Sequence, residues 1–317
     1  MGNSGSRAPA LLGKTHVPDF ELKIHDFSAL LETKATSALS GAFHCSGYQW
    51  ILEVSPMHKD PVGGTPYVAL GLVMQTRKCL EQGHTVHAVF ELSIYNHSNG
   101  MYCGCEASHR FDFKNCCSDK HCMIPLQELL KSSAFLVEDS CVFGVEILKI
   151  DVSSPEKKAD VVQKKAPTVQ HLFVQKKGFI KGTYTWAMNN FLELDLKHYV
   201  RSPTFEVGGH KWRVCMYPHG DRYSADCLSL NLYLHASDDL PPESGMVVDM
   251  TLSILDQKSG KYFSRSSGLV VFAGGNIWGW SDFFPLKKLK DLWGGYLIES
   301  HCIVKADFTI VGSSNDG

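Results

Sequence analysis

From Leu228 the chain alternates: Leu228, Leu230, Leu232 and Leu234 fall on one side of an extended backbone, and Ser229, Asn231, Tyr233 and His235 on the other. That two-residue period predicts a half-buried β-strand. Met246, Val248, Met250, Leu252 and Ile254 alternate again, and the polar run Asp256-Gln-Lys-Ser-Gly260 turns the chain back into Lys261-Tyr-Phe263, a hairpin. Leu126 to Leu130 and Leu286 to Leu292 each follow a proline with helical spacing, which predicts one short helix apiece. No run approaches the roughly 18 apolar residues of a membrane-spanning helix, and Ala8 to Leu12 is too short for the core of a signal peptide.

The pattern is written twice. Phe20 and Phe27 match Tyr184 and Phe191; Phe43, Gly47, Trp50 and Pro56 match Phe205, Gly209, Trp212 and Pro218. The order is kept through Val68 to Met74 against Leu228 to Leu234, Phe90 to Tyr102 against Met250 to Tyr262, Pro125-Leu126 against Pro285-Leu286, and Glu138 and Cys141 against Glu299 and Cys302. Small changes of offset are what loop insertions between retained core elements produce. The expected fold is all-β: two tandem antiparallel β-sandwiches of seven to eight strands, with one short helix per domain. The divisions are a flexible leader at 1–17, domain one at 18–152, a linker at 153–179, domain two at 180–312 and a tail at 313–317.

Composition narrows the partners. The chain has 317 residues, 44% of them hydrophobic, and a net charge of -2 from 31 basic and 33 acidic residues, which removes the usual electrostatic case for nucleic acid. Eleven cysteines without an export signal fit reduced thiols and the cytosol. The linker holds seven lysines up to Lys181 against two acids, a solvated connector or else a nuclear-import or phospholipid-binding patch.

The second copy closely resembles the meprin and TRAF homology (MATH) domain. The resemblance rests on Tyr184-Thr-Trp186, Asn190-Phe191, Ser202-Pro-Thr-Phe-Glu-Val-Gly-Gly-His-Lys-Trp-Arg213, Tyr217-Pro218, Leu228-Ser-Leu230, Leu252-Ser-Ile254, and Trp278-Gly-Trp280 with Phe284. The first copy is similar but diverged, with Phe43-His-Cys-Ser-Gly-Tyr-Gln-Trp50 in the glycine-turn segment. The arrangement is similar to plant proteins built of tandem MATH domains. By strand alternation alone, Gly208-Gly209 suits a turn with positive φ, Trp212 points inward, and Asn190-Phe191 ends the first strand.

The resemblance implies that domain two holds short extended peptides in a shallow groove across one sheet. Carried over by alignment, the groove residues are Asn231, Tyr233, Val270, Phe272, Trp278 and Trp280. Exposed tryptophans are typical anchors of interfaces. Domain one has Ser118, Asp119 and Lys120 where domain two has Trp278, Gly279 and Trp280, and Gly71 for Asn231, so its groove is expected to be lost. It then packs against domain two or binds a second partner.

Domain one instead carries Cys103, Cys105, Cys116, Cys117 and Cys122, with His109 and His121. Their spacing departs from the separated pairs of structural zinc, and domain two lacks them, so a metal- or redox-responsive loop is the alternative reading. No phosphate loop, nucleophile elbow or zincin motif occurs, and no cofactor is expected. The protein is expected to be a non-enzymatic adaptor that binds linear motifs, as monomer or homo-oligomer. Met1-Gly2-Asn-Ser-Gly-Ser6 fits the myristoylation pattern at Gly2, with a plain flexible leader as the other reading. Any membrane association of this cytoplasmic protein is then reversible and peripheral.

Overall fold

The computed structural model describes residues 12–14, 17–59, 64–75, 80, 84–152, 168–196, 199–221, 223–235, 244–291 and 293–316. The chain divides into two compact units, Lys177–Ser313 and the remainder. Each is a sandwich of largely antiparallel sheets.

In unit 1, β2 (Phe20–His25) pairs with β10 (Cys141–Val152), which pairs with β7 (Val86–Asn96), which pairs with β8 (Met101–Phe111). The opposing layer joins β3 (Ala38–Leu39) and β4 (Phe43–Cys45) to β5 (Tyr48–His58), then β6 (Tyr67–Met74) and β9 (His121–Pro125). Unit 2 repeats this order. Its first layer runs β12 (Ile180–Met188), β20 (Cys302–Asp316), β17 (Ser244–Asp256) and β18 (Lys261–Phe272). Its second runs β13 (Val200–Arg201), β15 (His210–Tyr217), β16 (Cys227–Leu234) and β19 (Ile277–Pro285), with β14 (Phe205–Val207) on β15.

The cores repeat as well. Phe20 stacks on Phe43 at 4.2 Å, and Tyr184 stacks on Phe205 at 4.0 Å. Trp50 meets Phe111 edge-on at 5.2 Å, and Trp212 meets Phe272 at 5.3 Å; both indoles are fully buried. A buried indole N–H needs an acceptor. Trp50 Nε1 donates to the Cys45 carbonyl at 3.1 Å and Trp212 Nε1 to the Val207 carbonyl at 3.2 Å. The turn that allows this has positive φ at Ser46 and Gly47 in one unit and at Gly208 and Gly209 in the other.

The short helices are α2 (Leu126–Leu129) and α3 (Leu286–Leu289), each entered from a proline. Two helical turns were not legible in the pattern: α1 (Phe27–Glu32) and a 3₁₀ turn at Phe191–Leu196. The first strand of unit 2 ends at Met188, so Phe191 starts a helical turn rather than closing a strand. The cause is tertiary. Phe27 N–H donates to the Asp139 carbonyl at 2.8 Å and Phe191 N–H to the Ser300 carbonyl at 2.9 Å.

The span read as a linker contains β11 (Thr168–Val174), which pairs in parallel with β2. Its alternating burial explains the docking: Gln170, Leu172 and Val174 are buried, and Gln170 Oε1 accepts the Gly41 N–H at 2.6 Å. Of the segment read as a leader, β1 (Leu12–Lys14) pairs with β8. The last strand runs through the expected tail to Asp316. Gly2 and the lysines between 157 and 165 lie outside the described residues.

Candidate functional site

The groove positions are set by the β16–β19 register. Leu228, Leu230, Leu232 and Leu234 are fully buried, which turns Asn231 and Tyr233 to the opposite, outer face. Asn231 lies opposite Gly279, and Tyr233 opposite Ile277. A Cβ at Gly279 would sit 2.2 Å from the Leu230 carbonyl oxygen and 2.5 Å from Asn231 Cα, so only glycine lets the strands approach here. Asn231 is 1% exposed, with Nδ2 donating to Ser229 Oγ at 3.1 Å. It forms a floor rather than a projecting contact. Tyr233 is half-buried, edge-on to His235 at 5.2 Å.

Trp278 and Trp280 lie opposite Leu232 and Leu230 and so share the inward side of the sheet, not the outer face with Asn231. They stay half-exposed because, among the described residues, β19 is the end strand of its sheet. Trp278 Nε1 donates to the Val271 carbonyl at 3.1 Å, tying β19 to β18 across the sandwich edge. The Arg265 guanidinium stands 5.0 Å from the Trp280 ring centre and donates from Nη1 to the carbonyl and Oδ1 of Asp282, both at 2.9 Å. Val270 and Phe272 are corrected: both are 0% exposed, and Phe272 packs on Trp212. Their alternation was ambiguous because Leu269, Val270, Val271 and Phe272 are apolar in succession and all four are buried.

An aromatic and cationic rim around the floor was missed. The Arg201 guanidinium lies 4.9 Å from the Tyr199 ring and 5.9 Å from the Tyr233 ring, and its Nε donates to Tyr199 Oη at 3.1 Å. Tyr199 also packs on Tyr217 at 4.9 Å. Burial, then the neighbouring Cys215 thiol, pushes the Tyr199 phenol up to about 12, so it stays a neutral hydrogen-bonding group. Burial and then the charges of Arg213, Lys211 and Arg201 hold His235 below the usual histidine range. A shallow cavity of about 280 Å³ adjoins Arg201, lined also by Trp186, Met188, Asn190 and Val200. Strand alternation could have placed Arg213, Cys215 and Tyr217 on the outer face with Asn231. Tyr199 precedes, and Arg201 ends, a two-residue strand too short to show a period.

Unit 1 fills the matching place differently. Gly71 faces Ser118 and the Asp119 carbonyl, and Lys120 Nζ donates to Glu53 Oε1 at 2.8 Å and to Ser55 Oγ at 2.6 Å. By the repeat, Glu53 and Ser55 stand where unit 2 has Cys215 and Tyr217. A part-buried ion pair thus lies across the region that is open floor in unit 2.

The cysteines scatter. Cys103 and Cys105 lie on β8 and Cys122 on β9; Cys116 and Cys117 flank the edge of β6, their sulfurs 3.6 Å apart. Among the described residues no group of three His, Cys, Asp or Glu side chains could hold a metal ion. Burial raises the thiol pKa of Cys103 and Cys105, and that of Cys117 is raised first by its hydrogen bond with Cys116 and then by burial. These shifts oppose the thiolate that reactive cysteines need.

Ubiquitin C-terminal hydrolase 12 of Arabidopsis thaliana is 30% identical to this chain over 165 residues, which are 50% of this chain and 14% of that protein. A MATH domain and coiled-coil domain-containing protein of Arabidopsis thaliana is 32% identical over 134 residues, 42% of this chain and 40% of that protein. A solved structure, Notothenia coriiceps TRAF5, is 27% identical and covers 41% of this chain and 74% of that one, with a TM-score of 0.35. The chain spans well under half the length of these curated relatives, and the match to the hydrolase takes in only a small part of it. The MATH domain family, whose domains are interaction modules, matches residues 19–147 and 183–308, most of the chain and one stretch in each unit. The chain belongs to the MATH domain family and carries that domain twice.

Proposed function

We infer that unit 2 binds a short linear motif of a partner protein in extended form along β19. The observation that carries this is the end-strand position of β19 beside a floor, Asn231 and Gly279, that offers no projecting side chain. An end strand supplies backbone partners to an added peptide, and the pockets beside it supply specificity. Here those pockets lie among Tyr233 and Ile277 on the outer face and Trp278 and Trp280 at the edge. Unit 1 reads a second partner or none, because the Glu53–Lys120 pair lies across the same region. The chain acts without catalysis or cofactor, in the cytoplasm, bridging proteins rather than nucleic acids.

The test is a peptide array probed with the full chain, followed by titration of the best peptide against Ile277→Asp and Trp280→Ala. Ile277 is 44% exposed, so its replacement leaves the fold intact. Both changes should weaken binding by about tenfold or more, Ile277→Asp at unchanged melting temperature and Trp280→Ala with some loss of stability, because its ring packs on Phe283 and Arg265. Unchanged affinity in both removes the groove.

A further inference from the structure

Away from the groove, unit 2 carries an indole that its fold does not use. Trp293 is 89% exposed. Its backbone is nevertheless fixed: the N–H donates to Asp291 Oδ1 at 3.0 Å and the carbonyl accepts Lys258 Nζ at 3.1 Å. Gln257 N–H donates to the Gly295 carbonyl at 2.8 Å, latching the turn after β17 to the loop after α3. Lys258, Lys261, Lys287, Lys288 and Lys290 are exposed on or beside these two segments, with Tyr262 at 42% exposure.

Three carboxylates, Asp256, Asp291 and Glu299, stand beside the five lysines, which outnumber them and leave the patch net positive. Asp256 Oδ1 accepts the N–H groups of Lys258 and Ser259, and Asp291 Oδ1 that of Trp293. Glu299 is exposed on the neighbouring turn. Unit 1 builds the same helix and hairpin with Ser98, Met101, Gln127, Glu128, Leu130 and Ser133 at the matching positions. Neither the lysines nor the indole is therefore demanded by folding.

We propose that this end of unit 2 docks on an anionic bilayer surface, with Trp293 entering the headgroup layer and the lysines facing acidic lipids. An indole is apolar in body with a polar N–H, which suits that layer. Each lysine close to such a surface adds about fivefold to partitioning. A partner protein would need a pocket matched to the projecting ring, whereas a bilayer accepts it anywhere. The inference does not depend on the peptide groove.

The test uses the full chain, produced without N-terminal acylation, and vesicles of phosphatidylcholine alone or mixed with phosphatidylserine. The mixed vesicles should retain the protein, high salt should release it, and brominated lipid should quench its tryptophan fluorescence. Trp293→Ala should lose the quenching and about tenfold in partitioning. Lys287→Gln with Lys288→Gln should lose about thirtyfold. Equal retention on neutral vesicles, absence of quenching, or a Trp293→Ala variant that binds like the parent overturns the proposal. A chain that ignores vesicles but binds soluble polyglutamate also overturns it, and assigns the patch to an acidic protein.

Discussion

The indole N–H of Trp278 donates to the carbonyl oxygen of Val271 at 3.1 Å, so the end strand of one sheet in unit 2 is fastened to the last strand of the hairpin in the other. The same side chain contributes apolar surface at the proposed peptide site, so a structural and a binding effect have to be separated. Trp278→Phe keeps much of that surface and removes the bond. It should cost about 1 kcal/mol in denaturant unfolding while peptide affinity changes little. A large loss of affinity at unchanged stability would show that the indole N–H faces the peptide instead.

Gly279 has no room for a methyl group between the Leu230 carbonyl and Asn231. Gly279→Ala should destabilise unit 2 by about 1–3 kcal/mol through displacement of β19. The check is urea unfolding followed by Trp212 fluorescence, with Gly260→Ala as a control for left-handed backbone strain alone, since its φ is 68° and its added carbon meets no neighbouring atom within 4 Å.

Two equivalent turns cap the helical segments from outside. Ser300 Oγ accepts the Leu192 N–H at 2.9 Å, and Asp139 Oδ1 accepts the Ser28 N–H at 2.9 Å while Oδ2 accepts Ser28 Oγ–H. α1 starts without a side-chain cap of its own, so the remote residue substitutes for one. Ser300→Ala should cost about 1 kcal/mol, and Asp139→Ala about 1–2 kcal/mol because two donors lose their acceptor. Equal stability of both variants to the parent in urea would remove this role.

β11 brings His171 against β2, where His25 Nε2 and His171 Nδ1 lie 2.9 Å apart and share one N–H. Burial, then Lys23 and His171, lowers the His25 pKa, with Asp26 opposing; burial and Lys23 lower that of His171. The unfolded chain takes up these protons near the ordinary value of about 6.5, above the folded pKa. The stability is therefore present above that pH and lost as the pH falls through it. Unit 1 should melt at lower temperature at about pH 5.5 than at about pH 7.5. His171→Gln should flatten the dependence without abolishing it, since burial also lowers His97 and His121. An unaltered pH slope in His171→Gln would exclude the pair.

Burial pushes the thiols of Cys141 and Cys302, which are matched in the repeat, up to about 12. Both should resist a thiol-specific disulfide reagent at about pH 8 until the chain unfolds. Modification of either in the native protein at the rate seen in the unfolded chain would contradict this placement.

Much of this was legible along the chain. Alternation from Leu228 to Leu234 fixed which residues are interior, because a strand side chain has only two directions to choose from. The repeat fixed the rest of the core by correspondence: Phe20 with Phe43 and Tyr184 with Phe205 form the same stack in both units. Where the signal was short or uniform, the reading failed. Phe191 and Phe27 open helical turns held by a remote carbonyl, and Leu269 to Phe272 carry no alternation to show that Val270 and Phe272 are core.

The sequence by itself determined an all-β chain with one domain written twice, since period, turn residues and repeat spacing are local properties of the chain. The tertiary structure alone decided which face each groove candidate serves. Trp278 and Trp280 went to the sandwich edge and Asn231 to the floor because the register of β19 against β16 set their sides. It also decided that β11 belongs to unit 1 and that Tyr199 and Arg201 join the rim. Those outcomes depend on pairing between distant segments, and no local pattern encodes which strand a segment will meet.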